Sequence, residues 1–422
     1  MDRRHFIQTS MTSAGVALAG LNSENAAHAA AAVGQGNVAN DEVEVMQNMI
    51  GAYGPWAAEI VGDAPARLSF RNPKFNNLES WKRSARQRAL DRLLQPDVEP
   101  IRDVRVEQKL VYDGVQIEKL SWQLPYGPRT EAVFLKPAAA KERLPAVLGL
   151  HDHGGNKFFG HQKITRDRDD IHPMMHKHQE RSYGGMAWAN ELAKRGYAVL
   201  VHDTFTFGSR KVQMEDLLPQ ARRGVQPVDS DTEEDIRSYN TFASQHEHLL
   251  AKSLFCSGTT WPGVFTVEDQ RALDYLAARA DVDPERLGCA GLSGGGLRTV
   301  YLAGLDQRIK CACCVGMMTT WRDYLLNKCY THTWMIYVPG LPLELDYPEV
   351  LGIRVPLPTL VLNNNEDPLF TLPEMRRADR MMSEVFAKAD ATEAYRCSYY
   401  PGPHKFDRPM QREAFDWFDR WL

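Results

Sequence analysis

The sequence predicts an α/β protein built on a mostly parallel central sheet, and two patterns along the chain support this prediction. From residue 145 onward, short apolar segments alternate with stretches of helical character. Strands that are covered on both faces have this composition, and parallel strands need crossover connections, which are usually helical. Before residue 145, apolar and polar residues alternate one by one, which is typical of half-buried antiparallel strands.

The predicted elements follow in chain order. A helix is predicted over residues 77–94 because the pattern stops before Pro96, and it belongs to a helical extension that we place at residues 33–100. Three alternating segments then form the antiparallel leading edge of the sheet, and apolar segments continue it. The predicted strands cover residues 104–111, 115–122, 131–135, 146–150, 197–201, 287–292, 310–315, 359–362 and 394–400.

A serine follows the strand predicted over residues 287–292, within Gly291-Leu-Ser-Gly-Gly295. The G-x-S-x-G pattern places a serine on a sharp turn between a strand and a helix, where its hydroxyl stands clear of the sheet. Glycines flank the serine because side chains there would collide with the neighbouring strand and helix. The bare pattern also fits a glycine-rich turn without chemistry, so its meaning depends on the partners of Ser293.

A serine nucleophile needs a base that takes its proton and a carboxylate that orients the base. Both residue types follow Ser293 in the chain. Asp367 lies just beyond a predicted strand, and His404 lies in a loop before the last predicted helix. Glu366 is the alternative to Asp367, since adjacent side chains point in different directions and only one of them can reach the histidine. We favour Asp367.

A turn with the sequence His153-Gly-Gly155 directly follows another buried-type strand. Backbone N–H groups at such a turn can hold the negative oxygen of a tetrahedral intermediate, and each contributes a few kcal/mol. We predict one N–H from Gly294 and a second from Gly155, with Gly154 as the alternative. His151 and His153 are alternatives for the base, but they precede the serine and are better placed to shape this turn or contact substrate.

Together these segments resemble the α/β hydrolases, and within them the bacterial esterases that are similar to dienelactone hydrolases and acetyl xylan esterases. The resemblance spans about residues 102–422 and implies an α/β-hydrolase fold with a serine-histidine-aspartate triad. Dienelactone hydrolases proper use a cysteine nucleophile, whereas this chain has Ser293, so the resemblance implies ordinary ester hydrolysis. It rests on the segments Leu150–Gly155, Val201–Arg210, Asp281–Gly295, Glu366–Phe370 and Pro403–Phe406.

The catalytic domain is therefore predicted over residues 101–422, with insertions at about 156–183 and 204–263. Both insertions follow strand ends, where active-site loops are found, so we expect them to build the substrate pocket. An acidic run over residues 229–235 is expected to form a solvated, mobile lid. The candidates for substrate contact are His153, Arg210 and Trp261. For Arg210 we favour a structural salt bridge with a nearby carboxylate over bracing of the pocket, and for Trp261 a place in the core or the pocket wall over stacking on a sugar ring.

Neither a metal nor an organic cofactor is predicted. His172, His176 and His178 are closely spaced, but no carboxylate or thiolate with ligand-like spacing accompanies them. The seven cysteines show no spacing that suggests a disulfide framework, and buried thiols are the simpler interpretation. The proposed chemistry needs only side chains and backbone N–H groups.

The amino-acid composition and the N-terminal sequence indicate which partners the protein can bind and where it is located. A net charge of −4 over 422 residues argues against a nucleic-acid partner, because phosphate binding draws on clustered Lys and Arg. Arg3 and Arg4 precede a short, mildly apolar stretch and an alanine-rich segment, which predicts a twin-arginine-type signal over residues 1–32 and export to the periplasm or beyond. The apolar stretch is too short for a membrane span.

The expected substrate is a small-molecule or carbohydrate ester, with acetyl or similar acyl groups implied by the resemblance. Two alternatives stay open: a serine peptidase of the prolyl-oligopeptidase type, which shares the G-x-S-x-G-G pattern, and a binding protein that uses the hydrolase scaffold without catalysis. The sequence does not define the oligomeric state.

Overall fold

Nine strands form one mixed sheet in the computed structural model, which describes residues 47–226 and 230–422. The predicted signal at residues 1–32 and the first part of the predicted helical extension lie outside the described residues. The strands are β1 (Arg102–Tyr112), β2 (Val115–Gln123), β3 (Thr130–Pro137), β4 (Leu144–Leu150), β5 (Ala198–His202), β6 (Val282–Leu292), β7 (Ile309–Val315), β8 (Thr359–Asn364) and β9 (Tyr395–Tyr400).

The strand order is β1-β2-β3-β5-β4-β6-β7-β8-β9, and all nine predicted strands are confirmed. Pairing is antiparallel from β1 to β5 and parallel from β5 to β9. The antiparallel leading edge and the parallel core therefore fall where the change from alternating to continuous apolar segments predicts them. The carboxyl ends of the parallel strands share one edge of the sheet, which is where the candidate site lies.

Helices surround the sheet and bury both of its faces. Along β4, Leu148 packs into the apolar core on one face, while its neighbour Val147 packs into the core on the other. The helices are α1 (Gly54–Val61), α2 (Leu78–Leu93), α3 (Pro173–Tyr183), α4 (Trp188–Lys194), α5 (Glu233–Cys256), α6 (Trp261–Ala278), α7 (Gly294–Leu305), α8 (Trp321–Asp323), α9 (Tyr347–Gly352), α10 (Leu372–Lys388) and α11 (Arg408–Trp421).

Helix α2 confirms the helix predicted before Pro96. It begins after Asn77, whose side chain accepts a hydrogen bond from the Ser80 N–H and so satisfies one free donor of the first turn. The buried face of α2 packs on the main body of the protein, and the Thr260 hydroxyl donates to the Leu93 carbonyl across that contact. The described part of the N-terminal extension thus belongs to the same compact unit as the sheet.

The second insertion contains a long helix, which begins within the acidic run that was expected to form a solvated lid. Helix α5 has 24 residues, and the Thr232 hydroxyl caps it by accepting from the Asp235 N–H. Glu233, Glu234 and Asp235 fill its first turn, where negative side chains interact favourably with the helix dipole. Three acidic residues of this run thus start a helix, whereas Asp231 precedes the cap. None of the helices described is long and apolar enough to cross a bilayer.

Candidate active site

Ser293 occupies the turn between β6 and α7 with φ 57° and ψ −117°, a backbone conformation that residues with side chains rarely adopt. Its N–H donates to the Val315 carbonyl of the neighbouring strand at 2.9 Å. Close packing explains the flanking glycine, because a Cβ on Gly291 would lie 2.4 Å from the Leu150 carbonyl oxygen. The sharp strand-to-helix turn predicted from the sequence is therefore present.

Asp367 and His404 meet at the carboxyl edge of the sheet. Asp367 Oδ2 lies 2.6 Å from His404 Nδ1, and the Asp367 side chain is almost fully buried. Its other oxygen accepts from the Leu369 N–H at 3.0 Å, which fixes the carboxylate. Because a carboxylate only accepts hydrogen bonds, Nδ1 of His404 carries the proton and Nε2 is left as the basic nitrogen. Glu366, the alternative acid, is exposed and makes no hydrogen bond with His404.

The backbone behind His404 is open enough to admit the ring. Gly316 follows β7 with φ 56°, and a Cβ there would lie 3.0 Å from the imidazole Cε1 of His404. A glycine is required at this position both for the positive φ and for the close approach of the ring.

Ser293 and His404 line the same cavity, whose volume is about 350 Å³. Nε2 of His404 has no hydrogen-bond partner among the described residues, so the ring has not closed onto the serine hydroxyl. Looser contacts of this kind are common in catalytic sites without substrate. His332, a residue that the sequence analysis missed, is also in the cavity wall, where its Nε2–H donates to the Leu369 carbonyl. Burial lowers the pKa of His332 to about 4, so its ring is neutral near pH 7.

In the loop after β4, the Gly155 N–H expected to hold an oxyanion has a partner within the loop. The Gly155 N–H donates to Nδ1 of His153 at 3.1 Å, so it is engaged within its own turn. The backbone nitrogen of His153 instead lies next to Gly294, 2.8 Å from where a Cβ on Gly294 would stand. Neither the His153 N–H nor the Gly294 N–H donates a hydrogen bond to another described residue. These two free donors sit side by side at the cavity wall.

The His153 side chain is locked by a carboxylate from the second insertion. Its Nδ1 accepts from Gly155, so Nε2 carries the proton and donates to Glu247 of α5 at 3.0 Å. Glu247 also pairs with the buried Lys157 ammonium at 2.9 Å and accepts from the Trp334 N–H at 3.2 Å. These partners hold the pKa of the Glu247 carboxyl far below its ordinary value although burial opposes them. Burial lowers the pKa of His153, which keeps the ring neutral.

Two predicted substrate contacts do not reach the cavity. Arg210 is 3% exposed and pairs with Glu268 at 2.9 Å, while its second guanidinium nitrogen donates to the Tyr126 carbonyl. Its role is the structural salt bridge that the sequence analysis favoured. Trp261 is 1% exposed at the start of α6, with the Lys157 ammonium 4.4 Å from its ring centre. Both side chains are buried, and of the three predicted contacts only His153 lines the cavity.

The three clustered histidines have separate partners. His172 lies against the Asp231 carbonyl, His176 against Glu180, and His178 against the buried Asp152 carboxylate. Within residues 47–226 and 230–422, no group of three or more His, Cys, Asp or Glu side chains is arranged to hold a metal ion.

A larger polar groove opens beside the cavity. Its volume is about 780 Å³, and it shares Gly154, Gly155 and Arg181 with the cavity wall. Amide and hydroxyl side chains, including Asn240 and Ser244 of α5, line the rest of it together with Lys, Arg, His178 and Met174. The groove therefore offers hydrogen-bonding groups beside the cavity that contains Ser293, at the place where the two insertions meet.

The sheet order and the strand–serine–helix turn define the chain as an α/β hydrolase in fold. A model described as the prolyl oligopeptidase family matches residues 257–349, which include the serine turn. A protein of Bacillus subtilis (strain 168) that bears the name hydrolase YtaP is 26% identical over 347 residues, which are 81% of this chain and the whole of that protein.

Solved structures agree with this fold. A Bacteroides fragilis NCTC 9343 protein described as an acetyl xylan esterase superposes with a TM-score of 0.58 at 15% identity, covering 83% of each chain. The glucuronoyl esterase from Solibacter usitatus gives a TM-score of 0.57 at 14% identity, covering 85% of this chain and 97% of its own. The resemblance predicted from sequence motifs is thus confirmed at the level of fold.

Proposed function

We propose that this chain is a serine esterase that cleaves carboxylic esters through an acyl-enzyme intermediate. The observation that carries the proposal is the 2.6 Å contact between Asp367 and His404 in the cavity that also holds Ser293. A buried carboxylate, an oriented imidazole and a hydroxyl on a strained turn are the parts that nucleophilic ester cleavage needs.

In this mechanism Nε2 of His404 takes the proton of the Ser293 hydroxyl as its oxygen attacks the ester carbonyl carbon. The negative oxygen of the tetrahedral intermediate accepts hydrogen bonds from the backbone N–H groups of His153 and Gly294. His404 then donates its proton to the leaving alcohol, and the acyl group stays on Ser293. A water molecule activated by the same histidine hydrolyses the acyl-enzyme, while Asp367 stabilises the imidazolium in both halves of the reaction.

We propose carbohydrate esters of acetyl or similar small acyl groups as the substrate class. The polar groove beside the cavity supports this, because its amide and hydroxyl side chains match the hydroxyl groups of a sugar. The named acetyl xylan and glucuronoyl esterases that share the fold support it as well. Export through the predicted signal at residues 1–32 is part of the proposal, because polymeric carbohydrate would be met outside the cytoplasm.

Active-site labelling and a substrate panel test the proposal. A fluorophosphonate probe should label wild-type protein, with the modified peptide containing Ser293, and should not label Ser293→Ala. Wild type should hydrolyse nitrophenyl acetate and release acetate from acetylated sugars, and Ser293→Ala should lose both activities. Wild-type rates in Ser293→Ala would overturn the proposal.

A peptidase is the second candidate, since the matched family model over residues 257–349 is that of the prolyl oligopeptidase family. The same triad could attack an amide instead of an ester. Cleavage of proline-containing peptide amides, without activity on sugar acetates, would favour the peptidase. The reverse pattern favours the esterase.

A further inference from the structure

Lys163 is a buried ammonium group without a carboxylate partner. Its residue is 0% exposed, and no Asp or Glu oxygen of the described residues lies within 4.0 Å of its Nζ. Asp152 and Asp203 act on this charge only from beyond ion-pair distance, and a buried charge without a direct ion pair is costly, so its retention calls for a physical reason. Burial lowers the pKa of Lys163 to about 8. The triad mechanism gives this residue no task.

All three protons of the ammonium have an electron-rich neighbour. Nζ donates to the Asp152 carbonyl oxygen at 2.7 Å and to the His153 carbonyl oxygen at 3.0 Å. The centre of the Phe207 ring lies 4.7 Å away, within cation–π range. The positive charge is therefore applied to the backbone of the loop that follows β4.

The Asp152 carbonyl and the His153 N–H belong to one peptide group. The same carbonyl oxygen also lies 3.1 Å from Nδ1 of His151. Nε2 of His151 accepts from the Thr204 N–H at 3.4 Å, so Nδ1 carries the proton and donates. Two donors, one of them charged, thus occupy both lone pairs of this carbonyl.

In a trans peptide the C=O and N–H bonds point in opposite directions. A cation at the carbonyl oxygen draws electron density from the amide nitrogen, which makes its N–H a stronger donor on the opposite side. On that side the His153 nitrogen lies beside Gly294 in the wall of the catalytic cavity.

We propose that Lys163 is a positioning residue that orients and polarises the Asp152–His153 peptide group, so that the His153 N–H binds the developing oxyanion more strongly than an ordinary backbone amide. This inference rests on the proposed esterase function. In this proposal the buried charge of Lys163 stabilises the transition state through the Asp152–His153 peptide group, although the ammonium itself never touches substrate.

Two variants separate charge from hydrogen bonding. Lys163→Gln keeps a neutral donor on a side chain that is one bond shorter, and Lys163→Met removes both the charge and the donor. Removing one whole oxyanion donor costs about 100-fold to 1,000-fold in kcat. We therefore expect Lys163→Gln to lower kcat on nitrophenyl acetate about tenfold with little change in KM, and Lys163→Met to lower it further.

Arg354 offers a matched control. It is 1% exposed and donates to the backbone carbonyls of Leu357 and Ile309, again without a carboxylate partner, but it lies at the opposite ends of the strands. Arg354→Met should lower the melting temperature and leave kcat near the wild-type value. A merely structural Lys163 would behave in the same way.

The pH dependence of kcat distinguishes this role from a structural one, because a loss of stability alone would not change it. Above about pH 8 the wild-type ammonium loses its proton, so kcat should fall there, and this fall should be absent in Lys163→Gln. The assignment needs the variant because other charged or titratable groups lie around Lys163, namely His151, Asp152, His153, Lys157, Asp203 and Arg298.

Wild-type kcat in Lys163→Gln, or an unchanged alkaline limb, would overturn the proposal while Ser293 is still labelled by fluorophosphonate. Failure of that labelling in the wild type would instead overturn the esterase function itself. The two results are therefore distinguishable.

Discussion

The carbonyl oxygen of Leu150 lies 2.0 Å from the position that a Cβ on Gly295 would occupy. The backbones of the end of β4 and the first turn of α7 are in direct contact there, so neither can move to make room for a methyl group. Gly295→Ala should therefore destabilise the fold by about 3 kcal/mol or more, because overpacking against backbone has no side-chain rotation to relieve it.

The matched control for this change is Gly352→Ala. Gly352 is also buried and helical, but the nearest atom to its added Cβ is the Met382 sulfur at 3.4 Å, an ordinary contact. Thermal unfolding should show a large fall in melting temperature for Gly295→Ala and little change for Gly352→Ala. Equal melting temperatures would mean that the backbone contact at Leu150 is not rigid.

The acid of the triad can be tested against its neighbour in sequence. Asp367→Asn keeps the shape but replaces the accepting oxygen with either a neutral acceptor or a donor, which stabilises the wrong tautomer of His404. The same change in serine protease triads lowers kcat about 10,000-fold, and we expect a loss of similar size here. Glu366→Gln should leave kcat on nitrophenyl acetate unchanged. A comparable loss in both variants would argue against Asp367 as the acid.

Substitutions of the buried ion pair of Glu247 and Lys157 should have strongly non-additive effects on the free energy of unfolding. Removing one partner of a buried ion pair leaves an unpaired charge and costs about 3–5 kcal/mol, whereas replacing both is often neutral. Glu247→Gln should therefore lower the free energy of unfolding by about 3 kcal/mol, and adding Lys157→Met should restore most of it. Gln at position 247 can still accept from His153, so the double variant should keep esterase activity.

Denaturant titration of the two single variants and the double variant measures this coupling. Strictly additive losses of stability would contradict it.

Asp346 makes the stability of the protein depend on pH, and a single substitution isolates this effect. It caps α9, accepting from the Trp321 N–H at 2.9 Å and the Tyr347 N–H at 2.7 Å, and burial raises its pKa to about 6. The folded state binds this proton more tightly than the unfolded state, so the contribution of Asp346 to stability is present below about pH 4 and is lost as pH rises to about 6. The difference between the folded-state pKa of Asp346 and its ordinary value corresponds to about 3 kcal/mol in the free energy of unfolding.

Asp346→Asn keeps the accepting oxygen and does not ionise. The free energy of unfolding of the variant relative to wild type should therefore rise between about pH 4 and pH 6 and stay constant above that range. A difference that does not vary with pH would show that Asp346 titrates normally.

The sequence could predict the parts of the site that are attached to strand ends. Ser293 follows β6, Asp367 lies just beyond β8, and parallel strands bring such positions to one edge regardless of their separation along the chain. The nine strands could be predicted for a related reason, since each has an apolar pattern of its own.

The N–H groups left free after β4 could not be predicted in the same way, because this depends on which N–H groups a turn uses internally. Gly155 looked free until the structure showed its bond to His153. Glu247 lies 94 residues from His153, and only the packing of an inserted helix brings them together. Tertiary contacts likewise bury Arg210, which pairs with Glu268, and Trp261, although their residue types alone would also suit an exposed pocket.

The contact of α5 with His153 joins the wall of the cavity to a part of the chain that lies 94 residues away. A substitution on α5 that breaks this contact would release the His153 ring without changing Ser293, Asp367 or His404. Variation in the second insertion can therefore reshape the cavity while the three side chains at the strand ends stay in place.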